Sequence, residues 1–161
     1  MSADRPGRRD RVATVPGHWF DEVAVGDTFA STVTITETHL VLSAGLLADY
    51  NPLHVDEAFA RRSRFGGRIL HGMMTSAIMG GPVGMHFHGT AVAYLEHNAR
   101  FLAPVRPGDT LTIAWTVDAL VAKPKHGAGV VELSGSATNQ DGVVAALATG
   151  KIMVFVKGKG P

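Results

Sequence analysis

The chain contains no cysteine. A disulfide framework, a thiolate metal site, thiol redox chemistry and a cysteine nucleophile are therefore excluded. Charge is also sparse: 15 Lys plus Arg against 14 Asp plus Glu leave a net charge of +1, and charged residues are 18% of the 161. Such a balance makes no field that would draw in nucleic acid or a membrane surface, so neither is expected as a partner. Long apolar runs are missing as well. The stretch from Ile69 to Met85 is interrupted by His71, Gly72, Gly80, Gly81 and Pro82, and the opening MSADRPGRRDR lacks the apolar segment of a secretory signal. A soluble cytoplasmic protein is expected.

What is present is 45% hydrophobic residues and 19 glycines, enough for one domain with a sizeable core and many turns. Residues 1–16 are charged and aperiodic and read as a flexible arm, residues 17–157 as a single domain, and residues 158–161 as a tail. From Gly26 to Ile35, β-branched residues predict a first strand, and Thr36 is placed to cap a helix running to about Asp49. Leu40, Ala44 and Leu47 form that helix's apolar stripe, and Asn51-Pro52 is expected to end it. Asp56 should cap a short helix through Arg62.

A second helix is predicted from about Leu70 to Gly80, apolar almost all round and so requiring cover. Strand-like runs at Val92–Phe101, Thr110–Ala122, Gly129–Asn139 and Val143–Val156 would supply it. Their short connections, Pro107-Gly108-Asp109 and Asp141-Gly142, favour antiparallel pairing. The expectation is α+β, with one sheet wrapped around a central helix.

Two segments gather chemistry. Asp49-Tyr50-Asn51-Pro52-Leu53-His54 brings a carboxylate, an amide and an imidazole to a chain bend stiffened by proline. Asp49 and His54 could share one water as an acid/base pair, or the polar groups could serve only the turn. In Phe65-Gly66-Gly67-Arg68-Ile69-Leu70-His71-Gly72-Met73, Gly72 falls in the first turn of the buried helix. Backbone N–H groups are unpaired there, the helix dipole favours negative charge, and no Cβ blocks a carbonyl; close packing of helix on sheet is the alternative. Together the two segments equip a site to add water across a double bond conjugated to a thioester, without metal or covalent nucleophile.

In these residues the chain resembles the MaoC-like dehydratases, the hot dog fold family that includes the (R)-specific 2-enoyl-CoA hydratases. The pattern DxNPxH is present as Asp49, Asn51, Pro52 and His54, HGM as His71, Gly72 and Met73, and FxxPVxxGD as Phe101, Pro104, Val105, Gly108 and Asp109. The resemblance implies a curved antiparallel β-sheet around a long central α-helix, a homodimer or an oligomer of dimers, and reversible hydration of a trans-2-enoyl-CoA. It implies Asp49 and His54 as the catalytic pair and the Gly72 amide as oxyanion donor. Asn51, His71, Met73 and Arg68 are the expected substrate-binding set: Asn51 positions, His71 orients the start of the helix, and Met73 lines the tunnel. Arg61, Arg62, Arg64 and Arg68 form either a solvated face or a partner for the phosphates of CoA. No cofactor or metal is expected, because His86, His88 and His97 have no carboxylate or cysteine at a ligand spacing.

The chain departs from the hydratase pattern at two positions: Gly80 stands where members often carry serine, and Ala48 where glycine commonly precedes the Asp. Gly80-Gly81-Pro82 is expected to end or kink the helix and so to widen the acyl cavity. An acyl-CoA thioesterase or a non-catalytic acyl-thioester-binding subunit of the same fold are the competing readings; DxNPxH argues against the first and the intact pair against the second.

Overall fold

The computed structural model describes residues 16–160; positions 1–15 of the expected arm lie outside the described residues. The elements are β1 (Thr28–Thr34), α1 (Glu37–Leu47), α2 (Pro52–Val55), α3 (Glu57–Arg62), α4 (Gly72–His86), β2 (Ala91–Phe101), β3 (Thr110–Lys123), β4 (Ala128–Thr138) and β5 (Val144–Phe155). All strand pairs are antiparallel, in the spatial order β1-β3-β4-β5-β2. This is the α+β hot dog architecture, with α4 against the sheet's inner face and β1 and β2 as edges.

Period-two alternation produces that inner face. Along β3, Leu111, Ile113, Trp115 and Val117 are buried to 1% exposure or less, and Ile152 and Val154 of β5 extend the same layer. The Trp115 ring lies over Gly135 of β4, where any Cβ would sit 2.5 Å from it. Its indole Nε1 donates across the core to the Met79 carbonyl of α4 at 2.9 Å. One hydrogen bond thus sets the helix against the middle of the sheet.

The two expected N-caps stand where placed but act differently, Asp56 through its side chain and Thr36 through its backbone. The Thr36 backbone N–H donates to His39 Nδ1 at 3.0 Å at the start of α1, and Asp56 Oδ1 accepts the Phe59 N–H at 2.9 Å to open α3. Three sequence expectations need correction. First, α1 stops at Leu47 because Ala48 turns left-handed, φ 53°, so the chain reverses before Asn51-Pro52 is reached. Asn51 instead caps the short α2, with Pro52 in its first turn. Leu47, assigned to the buried stripe, is 40% exposed.

Second, Gly80-Gly81-Pro82 does not end α4, which continues to His86 with Pro82 inside it. Proline costs the helix a donor but keeps a helical φ, and burial carries the chain through: Met79, Val83 and Phe87, one turn apart, are all 0% exposed. Third, α4 is not covered all round. Met73 and Met85 are 65% and 70% exposed. Among the described residues no helix is long and apolar enough to cross a membrane.

Ala48 gives a direct test of backbone strain. A left-handed alanine costs roughly 1–2 kcal/mol, partly offset in Ala48→Gly by the greater freedom of glycine in the unfolded chain. The substitution should raise the urea midpoint by a net gain of about 0.5–1 kcal/mol, with m unchanged. A lowered midpoint would contradict it.

A second test concerns acid. His86 is stacked between His18 and Phe29, at 4.3 and 4.0 Å between centroids, and its Nε2 is buried without a partner. Burial first, then the neighbouring His18, push its pKa down from 6.5 to about 4, against a smaller opposite pull from Asp27. Between those values the unfolded chain binds a proton that the fold does not, so stability is present above about pH 6.5 and declines as pH falls toward 4. Burial lowers His97 in the same direction. Chemical denaturation across this range should show His86→Phe, which keeps the stack but cannot charge, losing less stability than the parent.

Candidate active site

The left-handed turn at Ala48 directs the next residues across the start of α4. Asp49 Oδ1 accepts the Asn51 N–H at 3.1 Å, and Asn51 Oδ1 accepts the Leu53 N–H at 3.1 Å. These two bonds hold the bend that carries His54 on α2. Because the partner of His54 Nδ1 is the Ile69 carbonyl, at 2.8 Å, that nitrogen carries the proton and donates. Nε2 is left facing Asp49 Oδ2 at 3.9 Å. That separation is too long for a hydrogen bond and short enough for one water oxygen to touch both groups.

Behind this pair sits His71, 1% exposed. Its Nε2 donates to the Asp49 carbonyl at 2.9 Å, and its Nδ1 meets the Ser43 hydroxyl of α1 at 2.9 Å. Its ring stacks on that of His54, 3.7 Å between centroids. Asp49, His54 and His71 each offer a ligand atom within 4.8 Å of the others, a spacing compatible with a metal ion. Both ring nitrogens of His71 are already engaged, however, and a ligand role would require breaking one of those bonds. His86, His88 and His97 are not part of this group.

Gly72 is the first residue of α4, and its N–H has no acceptor among the described residues. A Cβ there would lie 3.0 Å from the ring of Phe101, so glycine lets the aromatic wall close onto the helix start. A cavity of about 270 Å³ opens in front, lined by residues that include His54, Phe65, Gly72, Thr75, Phe101 and Val105. The Leu70 N–H donates to the Val105 carbonyl at 2.7 Å, which fastens the third sequence motif to the segment leading into α4.

The structure brings together Asp49, His54 and Gly72 and places Asn51 and His71 as their supports. His71, expected among the substrate-binding residues, is buried behind the site with no face left for a ligand. Arg68 and Met73 do not line the His54 cavity. Arg68 donates through Nε to Glu57 at 2.9 Å and through a terminal nitrogen to Glu37 at 2.9 Å, which ties α3 to α1 and raises its pKa, chiefly through Glu57. Met73 points away from His54 and, with Ser76, Ala77, Gly80, Tyr94 and His97, lines a separate cavity of about 380 Å³. Gly80 lies there too and does not line the His54 cavity. Sequence reasoning gave no role to Ser43, Ile69, Thr75 or Phe101. Phe101 had a signal, its place in FxxPVxxGD; the Ile69 carbonyl and the mid-helix Ser43 had none.

Comparison with known proteins agrees with this geometry. A sequence model described as a MaoC-like domain matches residues 22–137. The chain is 36% identical over 129 residues to an (R)-specific enoyl-CoA hydratase of Rhodospirillum rubrum, covering 75% of this chain and 90% of that protein. It is 33% identical over 108 residues to a 3-hydroxybutyryl-CoA dehydratase of Methylorubrum extorquens, covering 67% and 69%. Among solved structures, the unliganded R-hydratase PhaJ1 from Pseudomonas aeruginosa superposes with a TM-score of 0.78 at 30% identity, over 89% of each chain. With His54 of DxNPxH and Gly72 of HGM on one cavity and a domain match over most of its length, the chain belongs to the MaoC-like dehydratase family.

Proposed function

We propose that the protein is a cytoplasmic hydro-lyase that adds water reversibly across the 2,3 double bond of an enoyl-CoA, giving the (R)-3-hydroxyacyl-CoA. The observation that carries this reading is the 3.9 Å gap between Asp49 Oδ2 and His54 Nε2, with His54 and the unpaired Gly72 N–H lining one cavity. Water held between carboxylate and imidazole attacks the β-carbon, and the pair takes up its proton. The electrons of the double bond move toward the thioester oxygen, where the Gly72 N–H and the positive end of α4 stabilise the developing enolate. The pair then returns one proton to the α-carbon, so that H and OH have been added and nothing else is consumed. His54 does this work through Nε2 because Ile69 holds Nδ1–H.

The reading includes a homodimer. β2 is an edge strand that leaves Val92 and Leu95 42% and 53% exposed, and the uncovered Met73 and Met85 lie on α4. An edge with free backbone groups and apolar side chains is suited to a second copy, and sedimentation should give twice the 17.0 kDa chain mass. A monomer at micromolar concentration would remove this part of the reading.

For the chemistry, purified protein is incubated with crotonyl-CoA while loss of enoyl absorbance and free thiol are followed in parallel. Absorbance should fall without thiol release; thiol release would mark a thioesterase. Asp49→Asn and His54→Ala should each slow hydration by at least about 10²-fold with the denaturation midpoint retained. Gly72→Ala pushes a methyl into the Phe101 ring and should cut kcat similarly. Full activity in either pair variant would overturn the assignment.

A further inference from the structure

Four arginines precede the start of α4, and the structure divides them. Arg68 is spent on Glu37 and Glu57, and Arg61 is held by Glu57 at 2.7 Å. Arg62 and Arg64 have no carboxylate partner among the described residues, and of the two only Arg64 lines the His54 cavity, its guanidinium carbon 4.9 Å from the centroid of the Phe65 ring. A second arginine reaches the same place from the other side. Arg106 follows the cavity-lining Pro104 and Val105, and a terminal nitrogen donates to the Phe65 carbonyl. It too is without a carboxylate partner among the described residues.

Two guanidinium groups therefore meet at Phe65, one on its ring and one on its carbonyl, and Phe65 lines the cavity that His54 and Gly72 share. Each is held by the protein, one over an aromatic face and one on a carbonyl, and each keeps further N–H donors free. Fixed guanidinium groups without a counter-anion are suited to phosphate, which accepts several such donors at once. The cavity interior, by contrast, is walled by Leu70, Phe101 and Val105 and suits the uncharged acyl end of a thioester.

We propose that Arg64 and Arg106 form an anion clamp around Phe65 that binds the phosphate groups of the substrate's coenzyme A. The proposal rests on the hydratase reading above and assigns that site its anchor for the carrier. Of the four arginines that sequence offered to those phosphates it keeps Arg64, releases Arg61 and Arg68 to their carboxylates, and adds Arg106, more than forty positions further along the chain.

The test compares the parent with Arg64→Ala, Arg106→Gln and the double variant on crotonyl-CoA, crotonyl-phosphopantetheine and crotonyl-pantetheine. On crotonyl-CoA each single variant should lose about 10- to 100-fold in kcat/KM, mainly through KM, as expected for a charged hydrogen bond. On crotonyl-pantetheine, which has no phosphate, parent and variants should be equal. A loss retained on crotonyl-phosphopantetheine places the clamp on the phosphate next to pantetheine; a loss confined to crotonyl-CoA places it on the phosphates beyond. Equal losses on all three thioesters, or none on crotonyl-CoA, would overturn the clamp. Calorimetric titration with free coenzyme A gives a readout independent of turnover: the parent should bind and the double variant bind at least about tenfold more weakly. If the parent binds coenzyme A but hydrates none of the thioesters, the hydratase reading fails and the clamp stands. If parent and double variant bind coenzyme A equally, the clamp fails whatever the activity. Arg64→Ala, at an exposed side chain, keeps the comparison available if Arg106→Gln does not fold.

Discussion

The site depends on one buried imidazole. His71 is 1% exposed and would be costly to bury with its nitrogens unpaired, but Ser43 and the Asp49 carbonyl engage both of them. Those two partners come from α1 and from the loop after it, while His71 itself caps α4. Three pieces of chain that share no sheet hydrogen bonds are thereby held at one point. The stack on His54 adds a fourth, since α2 cannot slide without parting two rings 3.7 Å apart. The separation of Asp49 and His54 follows from this arrangement: the backbone of one and the ring of the other are both fixed by the same side chain.

The other wall of the cavity is located by the sheet. Trp115 pins α4 through Met79, and the Leu70 to Val105 hydrogen bond pins the chain just before it. With the helix held at both places, the Gly72 N–H meets the cavity at a set depth, and Phe101 closes against it because no Cβ intervenes. The continuity of α4 through Pro82 belongs to the same constraint. A break there would let the first two turns move independently of Val83 and Phe87, and the amide would lose its position relative to His54.

Much of this is legible in the residues. Thr36 and Asp56 stand at helix starts, β3 and β5 alternate as a sheet with one buried face requires, and DxNPxH and HGM mark the two halves of the proposed site. What is not legible depends on partners remote in sequence. Arg68 reads as an available cation until Glu37 and Glu57 are seen beside it. Met73 adjoins Gly72 in sequence, yet successive helical residues diverge by about 100°, so it faces another cavity. Local propensity predicts a stop at Gly80-Gly81-Pro82, and tertiary burial overrides it. The early end of α1 at Ala48 had only the indirect signal of an alanine where the family commonly has glycine, and a positive φ is the reason glycine suits that place.

Exposure falls in steps across the proposed catalytic groups: the Asp49 side chain is 50% exposed, that of His54 12%, and His71 behind it 1%. The order matches what hydration demands. Water is the co-substrate, so the carboxylate must stay open to solvent, from which each new molecule arrives. The imidazole, more enclosed, keeps one protonated nitrogen on a carbonyl and one nitrogen toward the incoming water. The thioester oxygen needs the opposite environment, because a lone N–H stabilises negative charge well only where water does not compete. Phe101 lies against Gly72 but is itself 48% exposed, so it is a bound acyl group that must complete the dry end. A site wet throughout would lose the enolate's stabilisation, and a site dry throughout would exclude its own reagent; the open Asp49 side chain meets the second demand, and the substrate's own cover over Phe101 and Gly72 meets the first.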